Sequence, residues 1–284
     1  MADDSRALVL GGGGITGIAW ELGLIARLAE GGIDLAGADA PDVVVGTSAG
    51  SSVAVQLGSG RPVDQLYAAQ LAAPTGERAA AMPLSVMLRF VAAGLSSRNE
   101  RTARARLGRM AIRARTVPVE ERMAIIRSRL PSTEWPARPR LLISAVDAES
   151  GEFRVFDSES GVSLPDAVAA SCAVPLVWPP VPIGDRLYVD GGVRSPANVA
   201  LAAGSHRVLV IAPMDQAFRR SGRPGHQLRA LGPSTRGLLI TPTTQARQEM
   251  GRNPLDPAFR AAAARAGFAQ GAEVLGATRS LWTG

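Results

Sequence analysis

The sequence contains, at positions 43–52, the stretch Val43-Val44-Val45-Gly46-Thr47-Ser48-Ala49-Gly50-Ser51-Ser52. The three β-branched residues predict a buried strand, and the small residues after them predict a sharp turn that continues as a helix. A strand, a Gly-x-Ser-x-Gly turn and a helix are typical of a nucleophile elbow, which holds one serine hydroxyl at its tip. The same pattern also occurs in ordinary Gly/Ser-rich turns, so other motifs of the chain are needed to show whether Ser48 is a nucleophile.

A glycine-rich loop precedes this elbow by one helix. The apolar run 7–10 ends at Gly11-Gly12-Gly13-Gly14, and a helical pattern follows up to Gly31-Gly32. The bare amides of such a loop can form an oxyanion hole. Gly12-x-Gly14-x-x-Gly17 also fits a dinucleotide fingerprint, with Asp34 near the spacing of a ribose-binding acid. Asp34 does not follow an evident second strand, and the elbow is nearby, so the oxyanion interpretation is favoured.

A base must take the proton of Ser48, and the chain offers only two histidines for this role, His206 and His226. The order Ser48, Asp190, His206 would match an α/β-hydrolase triad. However, His206 directly precedes the predicted strand 207–211, which places it at the sheet edge opposite Ser48. His226 lies in a segment rich in arginine and glycine. Neither histidine is therefore expected to act as the base.

Asp190 is the better candidate. It follows the apolar run 187–189 and precedes Gly191 and Gly192, so its carboxylate can lie in a tight turn beside another backbone segment. The alternative is a simple hairpin turn. A carboxylate with the ordinary pKa of about 3.9 is a weak base, so a Ser48–Asp190 dyad requires burial that raises this pKa.

Four motifs together resemble those of patatin-like phospholipases in order and spacing, between about residues 7 and 203. They are Gly12-Gly13-Gly14-Ile15-Thr16-Gly17, Gly46-Thr47-Ser48-Ala49-Gly50-Ser51, Ala170-Ser171-Cys172-Ala173-Val174-Pro175 with Pro179-Pro180-Val181, and Asp190-Gly191-Gly192. The resemblance implies a three-layer α/β/α sandwich with a mainly parallel central sheet, and hydrolysis of lipid acyl esters without a cofactor or metal. It also implies site roles: Ser48 as nucleophile, Asp190 as base, an oxyanion hole from the amides of Gly12, Gly13 and Gly14, and support from Gly17, Gly46, Gly50, Gly191 and Gly192. Many members of that family have a basic residue where this chain has Thr16, which puts the recognition of phosphate in doubt.

The alternation of strands and helices independently indicates an α/β fold, and 284 residues without an evident linker suit a single domain, 1–284. Segment 82–130 is predicted to be a helical insertion rich in arginine, either a solvated surface or a lid that contacts anionic lipid. Segment 204–284 carries no recognised motif and is assigned to the same domain. Its part from 215 to 233 is predicted to be an exposed loop.

Composition sets the expected partners and compartment. The chain is 46% hydrophobic, has a net charge of +6 and contains no lysine. A lipid or acyl-ester substrate with peripheral membrane contact fits this charge, whereas scattered arginines with few aromatic residues do not favour nucleic acid. The single cysteine, Cys172, excludes an internal disulfide, and no signal peptide or spanning helix is predicted, so we expect a cytoplasmic protein. An acyltransferase and a nucleotide-binding module remain as alternatives, and the sequence does not predict the oligomeric state.

Overall fold

The computed structural model describes residues 5–72, 84–95 and 97–284. The acidic amino terminus, and residues 82 and 83 at the start of the predicted helical insertion, lie outside these residues. The strands are β1 (Arg6–Leu10), β2 (Val43–Gly46), β3 (Arg140–Asp147), β4 (Phe153–Phe156), β5 (Val181–Ile183), β6 (Arg186–Asp190), β7 (Arg207–Ile211) and β8 (Arg236–Ile240). The helices are α1 (Gly14–Glu30), α2 (Ala49–Leu57), α3 (Val63–Leu71), α4 (Leu84–Leu95), α5 (Glu100–Ile112), α6 (Val119–Arg129), α7 (Leu164–Ser171), α8 (Pro224–Ala230), α9 (Thr244–Glu249) and α10 (Arg260–Trp282).

The strands form one mixed sheet in which each strand pairs with the next in the series β5-β6-β3-β2-β1-β7-β8, and β4 also pairs with β3. Strands β3, β2, β1, β7 and β8 are parallel, whereas β4 and β6 run antiparallel to β3, and β5 antiparallel to β6. The predicted α/β fold with a mainly parallel central sheet is therefore confirmed.

The two faces of the sheet are covered by different helices. Leu8 and Leu10 of β1 belong to a large apolar cluster that also contains residues of α1, α2 and α10. Ala7 and Val9 point the other way, into a second cluster that includes residues near α8. Side chains alternate between the faces of a strand, so these clusters are the two cores of a three-layer α/β/α sandwich, as predicted.

Strands β2 and β6 share one edge of β3 and run toward each other. Ile143 of β3 pairs with Gly46 of β2 and with Phe156 of β4, so β2 and β4 lie on opposite edges of β3. Ala145 pairs with Asp190 of β6 and with β4, which places β6 on the same edge as β2. The carboxyl ends of β2 and β6 therefore meet on either side of Ser144. Since Ser48 follows β2 and Asp190 is the last residue of β6, the structure brings these two residues together at this point of the sheet.

The arginine-rich insertion contains α4, α5 and α6, and its middle helix is attached to the sheet. The guanidinium groups of Arg101, Arg104 and Arg109 on α5 donate hydrogen bonds to the carbonyl oxygens of Ser150, Gly151 and Glu149 respectively. These carbonyls belong to the turn between β3 and β4. These three arginines of α5 thus attach the helix to the turn between β3 and β4, and they do not form a purely solvated face. Movement of the insertion as a lid stays a prediction.

The last part of the chain is more ordered than its composition indicates. The segment 215–233, expected to be an exposed loop, contains α8, because Pro224 starts a helix readily at its first position. Strand β8 extends the sheet beyond β7, and α9 follows it; neither was predicted. Helix α10 packs on α1 so closely that a Cβ at Gly23 would lie 2.0 Å from the carbonyl oxygen of Ala264. Residues 207–284 therefore complete the same sheet and core.

Among the described residues, none of the helices has both the length and the apolar content that a membrane span requires.

Candidate active site

Ser48 occupies the tip of a sharp turn between β2 and α2. Its backbone has φ 53° and ψ −120°, a conformation that costs a non-glycine residue about 1–3 kcal/mol. The turn requires glycine on both sides, because a Cβ at Gly50 would lie 2.2 Å from the carbonyl oxygen of Leu10, and one at Gly46 would lie 2.6 Å from the Cα of Ser51. The structure thus has the geometry of the elbow that the sequence predicts.

Three side chains hold the backbone of Ser48 in this conformation. The amide of Ser48 donates to Ser171 Oγ at 2.9 Å, while Ser51 Oγ donates to the Ser48 carbonyl at 2.6 Å. The thiol of Cys172 also donates to that carbonyl, at 3.2 Å. Burial raises the pKa of this thiol, so it remains protonated and able to donate. Ser171 and Cys172 follow each other at the end of α7, which explains how the third motif of the sequence supports the elbow.

The carboxylate of Asp190 lies beside Ser48 at the end of β6. It accepts a hydrogen bond from the Gly192 amide at 2.7 Å, and the Ser48 hydroxyl interacts with it. Only 5% of Asp190 is exposed. Burial raises the pKa of Asp190 from 3.8 to about 6, although the Ser48 hydroxyl, the Gly192 amide and the positive charge of Arg122 oppose the rise. The burial that a serine–aspartate dyad requires is therefore present.

Arg122 is the cation that acts on this carboxylate, and no local pattern in the chain singled it out. Its guanidinium carbon lies 4.0 Å from the ring centroid of Trp178, and only 8% of the residue is exposed. A guanidinium stacked on an indole face is held in place while it keeps its charge. Arg122 comes from α6, within the predicted insertion, so this insertion contributes a residue to the surroundings of Asp190.

Asn198 joins the two strand ends that carry Ser48 and Asp190. Its side-chain amide donates to Thr47 Oγ1 at 3.1 Å, to Ser144 Oγ at 3.1 Å and to the Gly191 carbonyl at 3.2 Å. Arg194 in turn donates to Asn198 Oδ1 at 2.8 Å. Asn198 is fully buried and has φ 50°, a value that asparagine tolerates better than most residues. It was missed because a single asparagine carries no sequence signal for a contact with residues so distant in the chain.

The glycine loop lies against Ser48, but its amides are not equivalent. A Cβ at Gly12 would lie 3.3 Å from the Cβ of Ser48, so the loop and the serine are in contact. The Gly12 amide donates to the carbonyl of Pro196 at 2.7 Å, which contradicts its predicted use as an oxyanion donor. Among the described residues, the amides of Gly13 and Gly14 have no such partner, and the Gly17 amide is bonded to the Gly13 carbonyl. Helix α1 begins at Gly14, so its positive end points toward the site.

A buried carboxyl group supports the same loop from inside the core. Glu21 of α1 is completely buried, and one of its oxygens accepts from the Gly11 amide at 3.0 Å. Its other oxygen has no hydrogen-bond partner among the described residues. Burial raises the pKa of Glu21 well above its ordinary value, because burial disfavours the charged form. A glutamate on the buried face of an apolar helix was a signal in the sequence that could have identified it.

The residues of the competing interpretations lie elsewhere. Neither His206 nor His226 lines the cleft around Ser48, and the His206 amide is bonded to Ser5 at the opposite edge of the sheet. Asp34 accepts from the Ala36 amide within its own loop after α1, away from the tip of β2. Within the described part of the chain, no group of three or more His, Cys, Asp or Glu side chains is arranged to hold a metal.

Ser48 and Asp190 open into one cleft of about 1700 Å³. Its walls contain apolar side chains, among them Ile15, Ile18, Leu66, Leu107, Ile125, Leu176, Val177 and Trp178. Among the described residues, the walls also contain eight arginines but only three acidic residues. The arginines are Arg61, Arg104, Arg115, Arg122, Arg129, Arg194, Arg219 and Arg260. Thr16, which stands where a basic residue is expected, is fully buried and is not part of the cleft wall. The cleft thus combines apolar volume with positive charge supplied by other elements.

Comparison with known proteins places this geometry in context. A family model described as patatin-like phospholipase matches residues 8–203. The structure of VipD from Legionella pneumophila is similar with a TM-score of 0.47 and 14% sequence identity, covering 98% of this chain and 67% of VipD. The structure of the type III effector protein ExoU is similar with a TM-score of 0.38 and 17% identity, covering 96% of this chain and 54% of ExoU. A search of curated proteins gives no match.

Proposed function

The chain belongs to the patatin-like phospholipase family, and on that premise we propose that it is a lipid acyl hydrolase that cleaves carboxylic esters at Ser48. The observation that carries the proposal is the interaction of the Ser48 hydroxyl with the buried Asp190 carboxylate, at the base of an apolar, arginine-lined cleft. A nucleophile next to its own base is the arrangement required for acyl transfer.

In the first step, Ser48 Oγ attacks the ester carbonyl while its proton passes to Asp190. A base with a pKa of about 6 is ionised at neutral pH and is a stronger proton acceptor than an ordinary aspartate. The carbonyl oxygen becomes an oxyanion, for which the amides of Gly13 and Gly14 are the proposed donors. Loss of one such donor typically lowers kcat by about 10²–10³-fold. When the intermediate collapses, the proton held by Asp190 goes to the leaving alcohol.

In the second step, water hydrolyses the acyl-Ser48 ester. Asp190, again ionised, takes a proton from the water as its oxygen attacks the acyl carbon. The fatty acid leaves and the proton returns to Ser48 Oγ. The mechanism uses no cofactor and no metal, because one carboxylate accepts and returns the proton in both half-reactions.

The lining of the cleft supports a substrate with an acyl chain and an anionic head group. Ligand pockets commonly measure about 300–1000 Å³, so a cleft of about 1700 Å³ has room for both parts of a lipid. The arginines among the lining residues supply the positive charge that position 16 lacks, and guanidinium groups bind phosphate through paired hydrogen bonds. Phospholipids and lysophospholipids are therefore the proposed substrates.

The proposal is tested by assaying purified wild type and variants with a panel of p-nitrophenyl esters and phospholipids. Ser48→Ala should abolish hydrolysis of every substrate that wild type cleaves, and a fluorophosphonate probe should label wild type at Ser48 only. Ser52→Ala is the matched control, since Ser52 lines the same cleft but its hydroxyl contacts Cys172 and does not act on Asp190. It should retain both activity and labelling.

Two further variants separate this dyad from a serine–histidine mechanism. His206→Ala should remain active, whereas Asp190→Asn should lose about 10³-fold in kcat, within the usual range for a general base. Full esterase activity of Ser48→Ala, or a probe that labels another residue, would refute the proposed nucleophile. A His206→Ala variant that is as inactive as Ser48→Ala would refute the proposed base.

A further inference from the structure

Exposed large apolar side chains gather at the mouth of the cleft. Val91, Val117, Met214 and Phe218 line the cleft and are between 36% and 50% exposed. Leu88, which is 59% exposed, lies one helical turn before Val91 on α4. These five residues, here called the apolar rim, are most of the large apolar side chains that are exposed in the described parts of the chain. They come from three separate segments, so their proximity is a property of the fold and not of one apolar stretch.

The described side chains of helix α4 are apolar both toward the cleft and toward solvent. Its sequence, residues 84–95, contains a single charged residue, Arg89. Phe90 and Gly94 face the cleft, where the ring of Phe218 covers Gly94. Leu88, Val91 and Ala92 stand at i, i+3 and i+4 on the exposed side. An amphipathic surface helix would place polar residues there, so this face has the composition of one that meets an apolar partner.

Arginines accompany the apolar rim. Arg61 and Arg115 are exposed and line the same cleft. Arg219 follows Phe218 directly and donates hydrogen bonds to the carbonyls of Gly94 and Ser97, which fastens the end of α4 beside the rim. The whole chain carries a net charge of +6. Apolar side chains among cations match a surface that is negatively charged outside and apolar just beneath, which describes an anionic bilayer.

We propose that the apolar rim docks this protein on anionic phospholipid bilayers, with Leu88 and Val91 inserting between head groups and the neighbouring arginines contacting lipid phosphates. The inference deepens the proposed function, on which it rests, because four of the five rim residues line the cleft that contains Ser48. Continuity with the cleft and the surrounding positive charge favour a bilayer over a second copy of the chain, which would place one cationic surface against another.

Vesicle co-sedimentation tests the proposal with the Ser48→Ala variant, in which substrate turnover is removed. Vesicles of phosphatidylcholine alone are compared with vesicles containing phosphatidylglycerol at about a third of the lipid, at low and at high salt. We expect partitioning onto the anionic vesicles to be at least about tenfold stronger, and to weaken in high salt, because arginines near such a surface are attracted electrostatically. Equal partitioning onto both vesicles, or none, would overturn the proposal.

Substitutions at Leu88 test the location of the surface. Leu88→Glu in the Ser48→Ala background should bind anionic vesicles at least about tenfold more weakly, since an apolar contact is lost and a repelled charge is added. Leu88→Ser should lose part of this binding. Ala38→Glu is the matched control, because it adds the same charge at an exposed position in the loop between α1 and β2, at the opposite edge of the sheet. It should change binding less than twofold.

The result for membrane docking can be distinguished from the result for the proposed hydrolase function. With Ser48 intact, Leu88→Glu should hydrolyse a dissolved short-chain p-nitrophenyl ester within twofold of wild type, and hydrolyse vesicle phospholipid much more slowly. If no substrate is ever cleaved, the proposed function fails while the binding result stands by itself. If Leu88→Glu binds vesicles like its parent, the docking surface is wrong. If light scattering shows that it converts a dimer to monomers instead, the rim joins two copies of this chain.

Discussion

The substitution Asp190→Asn should make the protein more stable and at the same time inactive. The native carboxylate is buried, and its charged form is disfavoured there. Its pKa rises from 3.8 to about 6 on folding. At about 1.4 kcal/mol per pKa unit, this rise corresponds to about 3 kcal/mol of stability lost when the group ionises in the folded state. The amide of an asparagine cannot ionise, so the variant avoids this loss.

The sign of the pH dependence follows from the direction of the shift. A folded-state pKa above the unfolded value gives a contribution to stability that is complete below pH 3.8 and is lost as the pH rises to about 6. Asp190→Asn should therefore differ little from wild type near pH 4 and be more stable by about 3 kcal/mol at pH 8. Near the midpoint of thermal unfolding this corresponds to an increase in Tm of roughly 5 °C.

The local hydrogen bonds permit the replacement of Asp190 by asparagine. Asp190 Oδ1 accepts from the Gly192 amide at 2.7 Å, and the asparagine oxygen can do the same while its amide group donates to Ser48 Oγ. Urea unfolding of both proteins at intervals from pH 4 to pH 8 gives the measurement. Glu121→Gln removes an exposed carboxylate from the same cleft and should give no comparable difference between pH 4 and pH 8. A variant that is no more stable than wild type at pH 8, or a difference that does not vary with pH, would refute the reasoning.

Three other predictions concern the site and its support. The kcat/KM of wild type should fall about tenfold per pH unit below about pH 6, where Asp190 becomes protonated. Arg122→Gln should move this acidic limb of the pH profile to higher pH, because a charge that favours ionised Asp190 is lost, and Arg122→Lys should return the limb to its wild-type position. An acidic limb that does not move in Arg122→Gln would exclude the role of Arg122. Asn198→Ala should lower kcat at least tenfold with a smaller effect on KM for a soluble ester, because Thr47 and Gly191 lose their common donor; an unchanged kcat would contradict this. Gly50→Ala should prevent stable folding, since its Cβ would lie 2.2 Å from a β1 carbonyl, whereas Gly276→Ala in α10, with open space around it, should stabilise by about 0.5–1 kcal/mol in thermal unfolding.

Local patterns were sufficient for much of the fold. The β-branched run at 43–45 and the glycines around Ser48 predicted a strand and a turn because these conformations depend on neighbouring residues. Strand β8, Arg236–Ile240, carries no comparable signal, because it is short, contains glycine and follows an irregular segment. Its place in the sheet depends on pairing with β7, which the residues 236–240 do not reveal by themselves.

The supporting residues of the site were less predictable than Ser48 and Asp190 for the same reason. A serine between glycines and an aspartate before two glycines are local signals, and the structure places both residues in one cleft. Asn198 and Arg122 act across more than 60 residues of chain, through a buried hydrogen-bond donor and a stacked cation. Gly12 shows the reverse error: its position in the motif suggested an oxyanion donor, but only the fold determines that its amide faces the Pro196 carbonyl.

The meeting of two strand ends gives the proposed dyad the two properties that it needs, which are the proximity of Asp190 to Ser48 and the raised pKa of Asp190. Strands β2 and β6 approach each other along one edge of β3, so the elbow and Asp190 meet at its centre. The same meeting of strand ends removes the carboxylate from water, which raises its pKa to about 6 and makes it a stronger base. A carboxylate that reached Ser48 from an exposed loop would have the first property without the second. The absence of both histidines from the described lining of the cleft is then no deficiency, because burial gives Asp190 much of the basicity that an imidazole would otherwise provide.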